Sequence, residues 1–258
     1  MKAMIFAAGL GTRLKPITDS LPKALVPVAG KPLLEHVARK LKAAGIDEAV
    51  VNVHHFADKI ETWISEDASQ HAGTGLMMKV SDERELLLET GGGILNARRF
   101  LADCGEFLVH NVDILSDLDI SWFASQIRKD ALSTLLVSAR DTSRYLLFDP
   151  VTMRLVGWTN IKTGEVKSPF QNLQPETCIK LAFSGIHILS DKVFDVMDAY
   201  VKEKGLHDGS YSPRFPIIDF YLSVCAEYPI YGVVAEDLNL IDVGKLDSLE
   251  QAELKYTF

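Results

Sequence analysis

Short apolar runs closed by glycine or polar turns alternate, through the first half of the chain, with segments whose apolar residues recur at three-four spacing. Met4 to Ala8 reads as a buried strand ending in glycines. A helix follows, with Pro32 at its first position, Leu33, Leu34, Val37, Ala38 and Leu41 on one face, and Gly45 as its stop. Ala49 to Val53 is a second strand, Ile60, Trp63 and Ile64 mark a helix, and Leu76 to Val80 is a third strand. Ile94, Ala97, Phe100 and Leu101 mark another helix before the strand Phe107 to Asn111. Strands alternating with helices predict an α/β fold with a Rossmann-like, mixed but mostly parallel sheet flanked by helices.

After the strand Leu132 to Ala139 the rhythm changes. Tyr145 to Phe148 and Leu155 to Trp158, joined by the turn-like Asp149-Pro150, read as antiparallel strands, so a small antiparallel insertion is expected over about residues 140–180 of a single domain, 1–258. Ile179 to Leu189 is a long strand, Asp191 to Lys202 and Pro216 to Ala226 are helical, and Ile230 to Glu236 and Asn239 to Val243 are late strands. Lys162 to Glu176 and Gly205 to Pro213 are the expected loops.

Composition narrows the class. Apolar residues at 47% and charged residues at 24% are ordinary for a globular protein. A formal charge of −8 argues against general nucleic-acid binding, which needs surplus Lys and Arg. Cys104, Cys178 and Cys225 lack metal-ligand or disulfide-framework spacing, which suits a reducing cytoplasm. The N-terminal apolar run is broken by Arg13 and Lys15 too early for a signal peptide, and no apolar stretch reaches the roughly 20 residues of a membrane span. The expectation is a cytoplasmic protein with no membrane partner, its self-association left open.

Four glycine-bearing or acidic motifs carry the chemistry. In AAGLGTRLKPIT, Ala8, Gly9 and Gly11 let backbone amides approach an anion closely, and Thr12 adds a hydroxyl. Leu14 stands where a dehydrogenase fingerprint has its third glycine, and the phosphate-loop pattern GxxxxGK[ST] is not met. Arg13, and Lys23 in LPKALVPV, supply cations beside this loop. In LLETGGGILNA, Gly91, Gly92 and Gly93 are expected just ahead of a helix, exposing backbone at its N-terminus. FLVHNVDILSD delivers Asp113 to the carboxyl end of a strand, where open α/β sheets bind ligands, and Asp242 closes another strand in LNLIDVGK. Two strand-borne aspartates suit Mg²⁺, whereas Asp117 and Asp119 read as turn and capping acids.

AAGLGTRLKPIT followed by LPKALVPVAGKPLLEH resembles the signature of the sugar-1-phosphate nucleotidyltransferase family, GxGTRxxPxT and then PK. The LETGGG form resembles the N-acetylmuramate-1-phosphate uridylyltransferase branch. The resemblance implies transfer of a nucleotidyl group from an NTP, with UTP favoured, to a sugar 1-phosphate, dependent on Mg²⁺ and releasing pyrophosphate. It implies that Arg13 and Lys23 bind the triphosphate and stabilise the leaving pyrophosphate, that Gly91 and Gly92 meet the base and ribose, and that Asp113 and Asp242 hold the metal. Two departures stand out: Val112 replaces the glycine usual before the first aspartate, and Leu240 and Lys245 replace the Trp and Thr of the family's WxDVGT segment.

LAFSGIHIL resembles the family's sugar-facing strand, which implicates Ser184 and Gly185, although a β-bulge also explains this glycine. Among Arg140, Arg144, Lys162 and Lys167, Arg144 is the cation expected to meet the acceptor. Trp158 and Asn160 suit a sugar but equally suit packing. Relatives using GTP with mannose 1-phosphate or CTP with phosphocholine, and a non-catalytic nucleotide-sugar sensor, remain alternatives.

Overall fold

A computed structural model describes residues 1–70, 73–206 and 213–256. In chain order its elements are β1 (Lys2–Phe6), a small ribbon of β2 (Pro27–Val28) and β3 (Lys31–Pro32), α1 (Leu33–Ala43), β4 (Glu48–Val53), α2 (Ala57–Ser69), β5 (Met77–Asp82), α3 (Glu89–Asn96), α4 (Arg98–Leu101), β6 (Glu106–Asn111), β7 (Ile114–Ser116), α5 (Ile120–Ser125) and β8 (Ser133–Ser138). There follow β9 (Arg144–Phe148), β10 (Leu155–Asn160), β11 (Glu165–Lys167), β12 (Ile179–Ser190), α6 (Val193–Lys204), α7 (Ile217–Val224), β13 (Ile230–Val234), β14 (Leu240–Asp242) and α8 (Leu246–Tyr256).

Among the described residues ten strands join one sheet. Its centre is parallel: β1 lies between β4 and β6, with β5 beyond β4. β12 runs antiparallel to both β6 and β8, and β13 pairs parallel to β8. The first residues of β12 also pair with β9, which extends the sheet through β10 and β11.

Alternation within the strands explains why both faces are covered. On β1, Ala3 and Ile5 enter one apolar cluster and Met4 enters the other, all fully buried. The first cluster is closed by α1, α2, α5 and α8, and the second by α3, α4, α6 and α7. In α1 the stripe Leu33, Leu34, Val37, Ala38 and Leu41 is buried, each Leu or Val contributing roughly 1.5–3 kcal/mol. Pro32 caps this helix in an extended conformation, one place before the expected position.

Two other expectations change. Lys162 to Glu176 is not a plain loop, because Glu165–Lys167 forms β11 against β10 with Trp158 opposite Lys167. The glycine triplet does not precede α3 but lies inside it, since the helix begins at Glu89. The expected loop Gly205 to Pro213 falls mostly outside the described residues. Among the described residues no helix is long and apolar enough to cross a membrane.

Candidate functional site

The site forms where β1 and β6 end side by side. Phe6 pairs with Asn111, and the Val112 amide donates to the Phe6 carbonyl at 3.1 Å, so Ala7 to Gly9 and Asn111 to Asp113 leave the sheet together. They line a cleft of about 400 Å³ with Lys23, Asn52, Leu87, Glu89, Thr90 and Pro216. This is the carboxyl edge of the parallel strands, where strand-to-helix connections leave backbone free for a ligand.

Beyond Gly9 the glycine loop tightens. Gly11 has φ +64, a region that favours glycine, and an added Cβ would stand 2.8 Å from Thr18 Cγ2. Thr18 Oγ1 donates to the Gly11 carbonyl at 2.8 Å, and the Leu14 amide donates to it at 2.9 Å. Leu14, which replaces a dehydrogenase-type glycine, is a fully buried anchor. The next turn, Thr12–Leu14, carries Thr12 and Arg13 outward, both exposed.

Lys23 is drawn inward. It starts the single turn Lys23–Leu25 after Pro22, and its Nζ forms an ion pair with Asp113 Oδ2. The side chains are only 10% and 19% exposed, so solvent screens this pair weakly. Asp242 arrives from the far end of the chain through the two-stranded β7–β14 ladder, where it opposes Ile114. The next amide, Val243, donates to the Asp113 carbonyl at 2.8 Å. The two aspartates are thereby fixed beside each other by backbone pairing.

Arg13 joins them: a Cβ added at Gly244 would stand 2.7 Å from Asp242 Oδ1 and 2.8 Å from Arg13 Nη2. Glycine at 244 keeps that space open. Asp242 Oδ1 is buried and has no hydrogen-bond partner among the described residues, a costly condition for a carboxylate oxygen. Two carboxylates with one orphaned oxygen fit Mg²⁺, which is usually held by one or two carboxylates, waters and substrate phosphates. No group of three or more His, Cys, Asp or Glu able to hold a metal exists among the described residues, so an all-protein cage is not the arrangement here.

Gly91 and Gly92 occupy other roles. Their amides donate to the Phe215 carbonyl at 2.8 and 3.2 Å, and added Cβ atoms would collide with the Phe215 ring and the Pro213 carbonyl. Absent side chains thus let α3 lie against the chain entering α7, and both amides are engaged rather than presented to a ligand. Glu89 and Thr90 line the cleft instead. Glu89 holds φ +62, unusual for a residue with a Cβ, and pairs with Arg214 at 2.9 Å.

On the acceptor side, Ser184 is fully buried and its hydroxyl has no hydrogen-bond partner among the described residues. Gly185 has φ +75 and lies in the irregular register of β12, where a Cβ would stand 2.7 Å from Asn111 Nδ2. Glycine here admits the Asn111 side chain, which lines the cleft. Arg144 lies in a neighbouring cavity with Trp158 and Asn160. Asp119 caps α5 by accepting from the Trp122 amide at 3.0 Å, and Asp117 accepts from Asn239.

Sequence reasoning missed a buried network behind the cleft. Asn52 Oδ1 accepts from the Ala7 amide at 2.8 Å, and its Nδ2 donates to Glu83 Oε1 at 2.8 Å. Glu83 Oε2 accepts from the Leu88 amide at 3.2 Å. This chain ties the glycine loop to the opposite wall, and burial raises the Glu83 pKa. Asn52, the one polar residue of the Ala49–Val53 run, was a visible signal; Glu83, within the charged SDERE, was not.

Comparison with known proteins agrees with this architecture. A UTP–glucose-1-phosphate uridylyltransferase from Synechocystis sp. is 28% identical over 269 residues, 98% of this chain and 62% of that protein. An N-acetylmuramate alpha-1-phosphate uridylyltransferase from Caulobacter vibrioides is 49% identical over 111 residues, 43% of this chain and 45% of that protein. The chain thus spans about half to three fifths of the length of these relatives. Among solved structures, HddC from Yersinia pseudotuberculosis complexed with GMP-PN superposes with a TM-score of 0.71 at 22% identity, covering 99% of both chains. UDP-glucose pyrophosphorylase from Acinetobacter baumanii gives 0.74 at 18%, covering 99% of this chain and 92% of that one. The model of the Nucleotidyl transferase family matches residues 2–257, and the chain belongs to that family.

Proposed function

We propose that the chain is one nucleotidyltransferase domain that moves a nucleotidyl group from an NTP, UTP by preference, to a sugar 1-phosphate in the cytoplasm, with Mg²⁺ as cofactor. The observation that carries this reading is the convergence of Arg13, Lys23, Asp113 and Asp242 at one edge of the sheet, with Asp242 Oδ1 left unpartnered. The preference for UTP is supported by the uridylyltransferases among the relatives.

Ala8, Gly9 and Gly11 bring the chain close enough to cradle the triphosphate, and Thr12 supplies a hydroxyl donor. Asp113 and Asp242 would hold Mg²⁺, which when bound neutralises phosphate charge in the reacting complex. Arg13 and Lys23 stabilise the charge on the departing pyrophosphate. An oxygen of the acceptor phosphate attacks the α-phosphorus, and the bond from that phosphorus to the oxygen bridging to the β-phosphorus breaks. The acceptor is already an anion near neutrality, so no general base is required. Gly185 and Arg144 stand on the acceptor side.

The test is a matrix of NTPs against sugar 1-phosphates, read by pyrophosphate release with and without Mg²⁺. Turnover with UTP and a sugar 1-phosphate, lost on chelation, is expected. Failure of every pair to release pyrophosphate, combined with tight binding of a nucleotide sugar, would make the chain a sensor and overturn the catalytic reading.

A further inference from the structure

Two polar residues of the site-bearing strands have no role in the proposed reaction. His110 lies in β6, three positions before Asp113, and Ser184 lies in β12 beside Gly185; both are 0% exposed. His110 Nδ1 is 2.8 Å from the Asn111 carbonyl, which can only accept, so Nδ1 carries the proton and Nε2 is a bare acceptor. Burial, which lowers the His110 pKa to about 4, keeps the ring in that neutral form. Neither Nε2 nor the Ser184 hydroxyl has a hydrogen-bond partner among the described residues, and a buried polar group left dry costs stability.

Strand geometry puts these two groups on one face of the sheet. Leu108 belongs to the first apolar cluster and Phe107 and Val109 to the second, so His110 turns toward the first. On β12, Ile186 and Ile188 enter the first cluster, whereas Phe183 packs against the second and His187 meets Tyr221 of that cluster. Ser184 therefore shares the face of His110. Ile186 is the register partner of His110, so Ser184, two positions earlier, is its diagonal neighbour across an antiparallel pair. Such neighbours stand about 7–8 Å apart. Short side chains on that diagonal end too far apart to bond directly and near enough for one water to bridge them.

We infer that His110 and Ser184 hold a buried water molecule, donating to Nε2 and accepting from the Ser184 hydroxyl, which fastens the end of β6 to the irregular part of β12 beneath the cleft. A water with buried polar partners on two strands is part of the structure. Asn111 and Gly185, the next residues on the two strands, abut each other beside the cleft, and Asp113 follows two positions later. Through the water, His110 and Ser184 act as positioning residues for this wall. The positioning role rests on the nucleotidyltransferase reading above; the water site does not.

A crystal structure of the full chain that shows ordered water should place one within hydrogen-bonding distance of both atoms. Urea unfolding supplies the energetic sign. Ser184→Ala should raise the unfolding constant about tenfold when the hydroxyl is bridged, whereas loss of a dry, unpartnered hydroxyl would leave it unchanged or lower it. His110→Asn keeps an N–H for the Asn111 carbonyl and removes Nε2. The double variant should lose less than the two single losses combined, because the same water goes in each. Density without a water, a stabilised Ser184→Ala or additive losses would each overturn the site. At a temperature where all variants are folded, both single changes should lower kcat for pyrophosphate release about tenfold and leave KM for UTP unchanged. Wild-type kcat in both would overturn the positioning role alone. Absence of turnover in the wild type would instead overturn the catalytic reading, with density and unfolding still deciding the water.

Discussion

Asp242 keeps an oxygen buried without a hydrogen bond, and the cost of that arrangement links stability to activity at a single residue. In Asp242→Asn, pyrophosphate release should fall about 100-fold or more if the proposed Mg²⁺ site stands, since it would lose one of its two acidic ligands. Thermal melts of the same variant without Mg²⁺ should match or exceed wild type, because a desolvated charge has gone. Near-wild-type turnover would remove Asp242 from the metal site. Glu83 gives a prediction of pH dependence. Its pKa is raised by burial above the ordinary 4.5, so its contribution to stability is full below pH 4.5 and lost as the pH climbs through the raised value. Glu83→Gln should flatten that part of the melting curve against pH, and parallel curves would contradict it. Arg13, Lys23, Asp113 and Asp242 were legible from the sequence because each motif fixes its own spacing. The pairing of Asn52 with Glu83 was not, because it joins β4 to the residue that follows β5 and is decided only by register.

Between elements, the contact of α3 with the chain entering α7 determines the shape of the cleft. Gly91 and Gly92 donate to Phe215, and the Thr90 hydroxyl accepts from the Ile217 amide at 2.9 Å, so this contact is held by backbone as well as by packing. Gly92→Ala should cost about 1–3 kcal/mol, a fall of roughly 2–12 °C in Tm, because the new methyl meets the Pro213 carbonyl. An unchanged Tm would show that α3 can shift freely. The sequence revealed three glycines together but not whether they free backbone for a ligand or admit a neighbouring helix. That distinction depends on residues more than a hundred positions away. The same limit hid β11, whose short, fully exposed strand has no apolar alternation and is defined only by pairing with β10. The strands β1, β4 and β6, buried on both faces, were legible as unbroken apolar runs.

For the whole molecule, two enclosed histidines set the response to acid. Burial lowers His110 to about 4 and His187 to about 3, against an ordinary 6.5. Below pH 6.5 the unfolded chain takes up protons that the folded chain refuses, so stability is full above 6.5 and declines as the pH falls toward those values. The slope is about 1.4 kcal/mol per pH unit for each histidine. His187 Nδ1 lies 2.6 Å from the Tyr221 hydroxyl, and His187→Gln, which can keep a partner for it, should halve the decline in urea midpoint between pH 6.5 and 4.5. An identical decline would assign acid sensitivity elsewhere. The β7–β14 ladder has a further consequence, for the order in which the protein becomes competent. It brings Asp242 to Asp113 by a pairing of high sequence separation, the kind that closes late because loop entropy must first be overcome. Recovery of activity after dilution from urea should therefore lag recovery of helical circular dichroism, and Asp242, proposed to hold Mg²⁺, should be seated by the last strand to add.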